Sequence, residues 1–341
     1  MLKVQKYCPV CLGESLRGKF LGSSSTYSDS PIITLMINIC GDCGSYYLKD
    51  YIEEKEIGAY YPSSYYTKQC IINEPSFKDK VRFLSYSIYK GYSYSIHITP
   101  KLYVYAIFYG IIYWHRLGRF PTPNKKKEMP IAVEIGFGAG QYLLDLKAMG
   151  WECSGIDADI SKAKEFNKYG INVATDFKSL NFKANQIDYI YSYHALEHIY
   201  DIELIMENSY RILSRQGIFK LCVPVTDGLL PKVFKTHWYD LGVPIHKQIF
   251  SIRGIYALAE RHDFKVVQLK FNSYSASCVG SIVAATLSLL RIRKLTAQEL
   301  SSTKGFKLVC FFLSPIVFLL DIFSLGDRVE VVLKKKSASE K

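Results

Sequence analysis

The sequence predicts an α/β chain: a mostly parallel sheet with a small cysteine module at its amino end and an apolar helical insertion ahead of its last strand. Three observations predict it. The apolar run Val133-Glu134-Ile135 enters Gly136-Phe137-Gly138-Ala139-Gly140 and then a helical pattern over residues 141–149. A second strand, residues 151–157, ends in Asp157 about twenty residues past the loop, the spacing of a nucleotide-binding β-α-β unit. Two Cys-x-x-Cys pairs stand near the amino end. A chain of 341 residues exceeds one ordinary domain. The expected parts are a ribbon over 1–60, a helical connector over 61–125, a sheet domain over 126–271 closed by 327–336, and an insertion over 272–326.

The ribbon rests on Cys8-Pro9-Val10-Cys11 and Cys40-Gly41-Asp42-Cys43, separated by 28 residues rich in Ser and Thr that suit hairpins. Four thiolates at this spacing match a structural zinc site with no open coordination position. No signal-peptide pattern precedes Cys8, so a disulfide framework is not expected. The other cysteines, Cys70, Cys153, Cys222, Cys278 and Cys310, read as small buried hydrophobes of a reducing compartment. The aromatic run Tyr60-Tyr61-Pro62-Ser63-Ser64-Tyr65-Tyr66 suits packing of the ribbon or stacking on a sugar or cofactor. Prolines and Lys125, Lys126 and Lys127 between residues 121 and 130 read as the linker into the sheet domain.

Glycines at 136, 138 and 140 let the backbone turn and approach a ligand, since no Cβ intrudes. The amides opening the next helix would face that ligand. The spacing is GxGxG rather than the dinucleotide GxGxxG. Glu134, two residues ahead, would repel a pyrophosphate and suits a cationic ammonium. Asp157 is placed to accept a ribose diol or to cap the next helix, a role open also to Asp159 or Ser161. Asp176, after a short strand over 171–174, reads as an adenine-edge contact or an ordinary loop aspartate.

A fourth strand over 186–192 leads into Tyr193-His194-Ala195-Leu196-Glu197-His198-Ile199, and ligands of such sheets sit outside the strands' carboxyl ends. His198 with Glu197 is the candidate base or substrate clamp. The alternative is a histidine that holds the loop through a backbone carbonyl. His194 is a candidate cofactor neighbour, and His246 reads equally as a substrate-side or a solvated loop residue.

Together these motifs resemble class I S-adenosylmethionine-dependent methyltransferases of the branch carrying a Leu-Glu-His segment, which includes ubiquinone-pathway O-methyltransferases and sugar-nucleotide C-methyltransferases. The likeness covers roughly 130–271 plus the last strand. Arg211-Ile212-Leu213, a fifth strand over 217–223 closed by Pro224, the Trp238 to His246 stretch and Phe250-Ser251 carry it further. The resemblance implies a Rossmann-like seven-stranded sheet with an antiparallel last strand, formed by 264–271 and 327–335. It also implies S-adenosylmethionine as cofactor, with Glu134 near the methionine moiety and Gly136, Gly138 and Gly140 lining it. A Glu-x-x-Glu-His run in the ubiquinone branch resembles a divalent-metal site; here His194 stands first, so that metal is not expected.

Forty-three basic against 31 acidic residues leave a net charge of +12, which favours polyanionic partners such as anionic lipid, phosphorylated glycans or nucleic acid. Apolar runs over 102–114, 278–290 and 308–320 are 13 residues each, about 20 Å as helix against a hydrocarbon core near 30 Å, so none is expected to span. Residues 272–326 must leave and return on one side of the sheet. Arg291, Arg293, Lys294, Lys304 and Lys307 in the connection suit a hairpin on an anionic leaflet, or the two helices pack on the core or a second copy. The leading expectation is methyl transfer to a hydroxyl of a sugar nucleotide or lipid-linked saccharide, by a cytoplasmic enzyme peripheral to the inner membrane face. A zinc-ribbon RNA methyltransferase and a non-catalytic scaffold are the alternatives. The former lacks an Asn/Asp-Pro-Pro-Tyr type of segment after the fourth strand.

Overall fold

The computed structural model describes residues 2–23, 31–61, 76–92, 98–112, 120–121, 129–161, 163–291, 300, 303–337 and 339. The Pro62 to Tyr66 part of the aromatic run, Cys70, the Lys125 to Lys127 linker, Arg293 and Lys294 lie outside the described residues. In chain order the strands are β1 (Leu2–Val4), β2 (Leu16–Ser23), β3 (Thr34–Cys40), β4 (Tyr46–Leu48), β5 (Asp50–Ile52), β6 (Ile131–Ile135), β7 (Glu152–Ile156), β8 (Asn172–Ala174), β9 (Ile187–Tyr193), β10 (Leu213–Pro224), β11 (Gln248–Ile249), β12 (Phe264–Phe271) and β13 (Arg328–Lys335).

Seven strands form one sheet in the order β12-β13-β10-β9-β6-β7-β8. β6 pairs parallel with β7 and β7 with β8, while β12 and β13 pair antiparallel from Phe264↔Lys335 to Phe271↔Val329. The expected α/β, Rossmann-like sheet with an antiparallel last strand is therefore the fold. Residue pattern explains the order. β9 buries Ile187, Tyr189, Ile190 and Tyr191, the continuous apolar run of a strand covered on both faces. β13 instead alternates, burying Val329, Val331 and Leu333.

The fifth strand is longer than the expected 217–223, running from the buried Leu213 to Pro224. Gly217 sits inside it rather than opening it. A Cβ at that position would lie 3.0 Å from the carbonyl oxygens of Ile187 and Asp188, so the glycine permits a close backbone approach.

Contacts divide the chain into two compact units, residues 66–191 with 211–219, and residues 1–65 with 192–210 and 220–341. In the first, helices Phe77–Lys90 and Pro100–Ile112 share an apolar seam of Val81, Leu84, Leu102 and Ala106. Arg82 donates to Asp145 at 2.8 Å, tying this pair to the Gln141–Ala148 helix. Ser76 caps its helix in a reciprocal box with Asp79. Tyr142 packs on Tyr191 at 4.2 Å between centroids and shares a hydrogen bond with the Tyr189 hydroxyl at 2.9 Å.

In the second unit the ribbon hairpin β2-β3 continues into β4 and then β11, a four-stranded sheet whose last member comes from far along the chain. Its apolar face, Leu35, Ile37 and Leu48, joins Leu230, Trp238, Leu241, Val243, Ile249, Cys278 and Val317 in one core. Trp238 Nε1 donates to Asp327 Oδ2 at 2.9 Å, and Ser277 donates to the same oxygen at 2.6 Å. Trp238→Phe keeps the packing and removes the donor from a buried carboxylate. It is expected to cost about 1–3 kcal/mol in urea unfolding, with cofactor affinity unchanged.

Among the described residues the insertion carries the helices Ser275–Leu289 and Lys304–Ile322, each packed in part on this core. The second corrects an expectation. Thr303 caps it through the Phe306 amide, and the flanking residues extend the 13-residue apolar run to 19, about 28 Å at 1.5 Å per residue. Among the described residues it is the one helix long and apolar enough to cross a membrane, and little of it is buried. Because β12 and β13 pair antiparallel, the chain that leaves through the first helix returns through the second to the same sheet edge. Cys153, Cys222 and Cys278 are buried as expected, whereas Cys310 on this helix is only half-buried.

Candidate active site

The glycine loop follows directly from β6. Gly136, Gly138 and Gly140 have φ of 71°, 51° and 72°, a region that side chains rarely adopt. A Cβ on Gly140 would also meet the Phe166 ring at 2.1 Å. Gly140 opens the Gln141–Ala148 helix with no side-chain cap, so that helix's first amides keep their capacity for a ligand. Glu134 is buried within β6, at register with Gly155 of β7. Asp157, just past β7, accepts from the Gly138 amide at 2.8 Å through Oδ2 and from the Asp159 amide at 2.9 Å through Oδ1. One carboxylate thus braces the loop from the neighbouring strand. An uncapped helix start, a left-handed glycine turn and two carboxylates on adjacent parallel strands fit a ligand with a cationic end and a diol.

Asp159 accepts from Ser161 at 2.9 Å, so it takes the turn ahead of the Ala163–Lys168 helix. Asp176 is exposed, and its carboxylate accepts from the Ser179 amide at 2.9 Å and from the Ser179 hydroxyl. The Ser179 backbone hydrogen bond holds that carboxyl below its ordinary value.

At the end of β9 a histidine cluster forms in the second unit. His194 takes φ of 52° and donates its amide to the Cys222 carbonyl at 2.9 Å. Leu196–His198 is a single 3₁₀ turn that Gln248 clamps, donating to the Leu196 carbonyl at 2.8 Å and the Ile199 carbonyl at 2.9 Å. Glu197 is fully buried; Oε1 pairs with His194 Nδ1 at 3.0 Å, and Oε2 has no hydrogen-bond partner among the described residues. Burial opposes ionisation of Glu197, but the His194 hydrogen bond and the surrounding imidazoles outweigh it and hold the carboxyl at about 2.

Arg328, itself buried, approaches His194 Nε2 at 3.3 Å and donates to the Tyr193 hydroxyl at 3.2 Å, with its guanidinium over the Tyr274 ring. Since arginine only donates, Nε2 of His194 accepts and Nδ1 carries the proton given to Glu197. Both nitrogens of His194 are committed, which makes it a positioning residue for Glu197. His198 faces the Ile245 carbonyl at 3.2 Å and the Tyr61 hydroxyl at 3.4 Å with Nδ1. A carbonyl can only accept, so Nδ1 carries the hydrogen and Nε2 carries the lone pair. His246, half-buried rather than solvated, donates Nδ1–H to the Asp240 carbonyl at 2.8 Å and lies edge-on to His198 at 4.7 Å between ring centroids. Burial and the neighbouring His198 press its pKa down to about 3, which keeps it neutral.

The four ribbon cysteines converge as their spacing implies. Sγ atoms of Cys8 and Cys43 are 3.8 Å apart and those of Cys11 and Cys40 3.5 Å, with all four within 4.8 Å. A tetrahedron of metal–sulfur bonds near 2.3 Å needs about 3.8 Å between sulfurs, so the set fits zinc. The Cys8 thiol donates to Cys43, which brings Cys43 down to about 4 and holds Cys8 well above the usual thiol range.

Several structural partners were invisible at the sequence level. Ser251 of the Phe250-Ser251 motif donates to the Cys43 carbonyl at 2.6 Å, receives from Gly254 at 2.9 Å, and its amide donates to Ser45 Oγ at 2.9 Å. The motif therefore locks a cysteine knuckle to the Ile252–Arg261 helix. Arg328 carried no signal beyond its place at a strand start. Beside the ribbon a cleft of about 790 Å³ is lined by Tyr7, Tyr51, Tyr200, Glu53, Asp201 and Lys247, among others. The Lys247 ammonium lies 4.5 Å from the Tyr51 ring centre and donates to the Tyr200 carbonyl at 2.8 Å.

Residues 113–269 match the family model described as a methyltransferase domain. No curated protein matches the chain. Among solved structures, a chain in the complex between the Haloferax volcanii Trm112 methyltransferase activator and a methyltransferase is 17% identical over 68% of this chain and 93% of its own, with a TM-score of 0.43. A sarcosine dimethylglycine methyltransferase from Galdieria sulphuraria is 14% identical over 76% and 98%, with a TM-score of 0.40. An S-adenosylmethionine-dependent methyltransferase from Archaeoglobus fulgidus is 16% identical over 68% and 99%, with a TM-score of 0.42. Residues 113–269 of this chain thus carry a methyltransferase domain.

Proposed function

We propose that the enzyme methylates a hydroxyl of a saccharide, carried on a nucleotide or a lipid, at the cytoplasmic face of a membrane. The observation that carries the membrane side is the Lys304–Ile322 helix. Phe311, Phe312 and Phe318 are 72%, 67% and 64% exposed, far beyond the scattered apolar residues of an ordinary surface. Lys304 and Lys307 stand at its start and Arg291 just after the partner helix, on a chain of net charge +12, which suits an anionic leaflet. A cleft lined by tyrosines, carboxylates and a lysine supports the saccharide, whose rings stack on aromatic faces while its hydroxyls pair with charged groups.

When bound, the cofactor supplies an activated sulfonium methyl. Glu134, the three loop glycines and Asp157 would hold it, and Asp176 is kept as the adenine-side candidate. His198, through Nε2, would accept the proton of the acceptor hydroxyl, with the buried Glu197 carboxylate stabilising the imidazolium and His194 fixing that carboxylate. Structural zinc would occupy the four cysteines and contribute no catalysis.

The test is incubation of the purified enzyme with methyl-labelled cofactor and separated sugar-nucleotide, lipid-linked glycan and RNA fractions, with and without phosphatidylglycerol vesicles. The expected result is label in a glycan fraction, together with flotation on the anionic vesicles that Phe311→Asp with Phe318→Asp abolishes. Label confined to RNA would replace this reading by the nucleic-acid one.

A further inference from the structure

We propose that Arg328 is the docking residue for a phosphate of the acceptor, with Tyr274 as the cover that the phosphate displaces. The proposal rests on the saccharide reading above, since nucleotide and lipid carriers both join their sugar through phosphate. Arg328 opens β13 beside the ends of β9 and β10. Its fork reaches Tyr193, and the carbonyl of the preceding Asp327 receives the Val225 amide at 2.8 Å. Ligands of such sheets gather at that edge.

A guanidinium carries five N–H groups and a permanent charge. Here Nε donates to the Asn272 carbonyl, and Nη1 serves the Tyr193 hydroxyl at 3.2 Å and His194 Nε2 at 3.3 Å. The residue is only 1% exposed, and Nη2 is buried with no hydrogen-bond partner among the described residues. All the groups that Arg328 touches are neutral. Asp327 turns Oδ2 to Trp238 and Ser277, and Glu197 stands across the His194 ring. Asp240 and Asp321 feel the charge without pairing with it. A buried charge held by neutral groups, with donors left over, lacks an anion. A phosphate supplies one whose geometry the guanidinium fork matches.

The way in is Tyr274. Its ring centre lies 3.2 Å from the guanidinium carbon, its hydroxyl meets that of Tyr193, and it is 51% exposed. It precedes the Ser275–Leu289 helix without a side-chain cap, so rotation about its side-chain bonds uncovers the guanidinium with the backbone in place. An aromatic face holds a cation less strongly than a phosphate does, so the anion takes the place of the ring. Seated there, the phosphate brings its sugar to the turn that follows His194.

The test titrates inorganic pyrophosphate into the full-length protein by calorimetry in about 0.15 M salt, which screens the surface lysines. Wild type is expected to bind, Arg328→Gln to bind at least about tenfold more weakly, and Tyr274→Ala at least about threefold more tightly. The glutamine keeps a donor toward Asn272 and removes the charge. No binding in wild type, or equal affinity in Arg328→Gln, overturns the site; a guanidinium that only props His194 gives that second result. Unchanged or weaker binding in Tyr274→Ala overturns the cover, and overturns the whole proposal should Arg328→Gln fail to fold. Uridine diphosphate glucose and farnesyl phosphate in detergent then separate the carriers. The one whose binding Arg328→Gln weakens about tenfold names the source of the phosphate, and failure of both overturns the acceptor assignment. S-adenosylmethionine is the control: a similar loss of its affinity in Arg328→Gln gives the anion to the cofactor carboxylate and overturns that assignment too. The heats need no turnover, so methyl label found only in RNA refutes the saccharide reading and leaves Arg328 judged on pyrophosphate.

Discussion

Cys43→Ser is expected to release the ribbon metal and destabilise the unit that contains it by more than about 3 kcal/mol, because structural zinc binding is itself folding free energy. Cys43 is the most consequential of the four ligands. Its sulfur lies 3.8 Å from that of Cys8 and receives the Ser45 amide at 3.5 Å, and its carbonyl receives the Ser251 hydroxyl. The ribbon sheet ends in β11 and its apolar face is shared with Trp238, Leu241 and Val243, so loosening the knuckle reaches a core assembled from residues 35 to 317. Elemental analysis should fall from one zinc per chain to a trace, and thermal unfolding should shift downward. Ser251→Ala, which leaves all four sulfurs in place, should keep the metal and cost only about 1–2 kcal/mol. If Cys43→Ser kept both metal and stability, the ribbon would not be a zinc site.

His198→Ala is expected to lower turnover by about 10²–10⁴-fold, the usual contribution of a positioned general base, while the dissociation constant for S-adenosylmethionine stays within about twofold. The ring's Nδ1 is committed to the Ile245 carbonyl and Tyr61, so the change removes Nε2 chemistry together with a loop contact. Equal losses of turnover and cofactor affinity would assign His198 to the loop's architecture instead. His194→Gln provides the contrast. Both nitrogens of His194 are already engaged, with Glu197 and Arg328, so its loss should act through the placement of Glu197.

The sheet was legible because its strands carry local patterns. The glycine loop, the carboxylate at the end of β7 and the continuous apolar β9 each follow from residue type and spacing within a dozen positions. The cysteine quartet was legible for the same reason. What escaped lies in pairings across long separations: β11 completing the ribbon sheet, Ser251 reaching Cys43, and Asp327 joined to Trp238. A serine or an aspartate has no periodicity that announces a partner 208 or 89 residues away. The apolar helix was under-read at 13 residues because its ends are set by a Thr303 cap and by mixed residues, which a run of hydrophobics does not count. At the cluster, the pattern named His194, Glu197 and His198 but could not apportion the ring nitrogens of the histidines. Which atom is spent on a carbonyl and which keeps a lone pair is decided by Ile245, Asp240 and Arg328.

The most direct test of the donor site is a calorimetric titration of S-adenosylmethionine into the wild-type enzyme and into Asp157→Ala. Asp157 braces Gly138 at 2.8 Å and is the proposed ribose acceptor, so its loss removes charge-assisted hydrogen bonds worth about 1.5–3 kcal/mol. The account predicts one cofactor per wild-type chain and an affinity weaker by roughly 10–100-fold in the variant. No binding heat in the wild type, or identical binding in the two proteins, would contradict it.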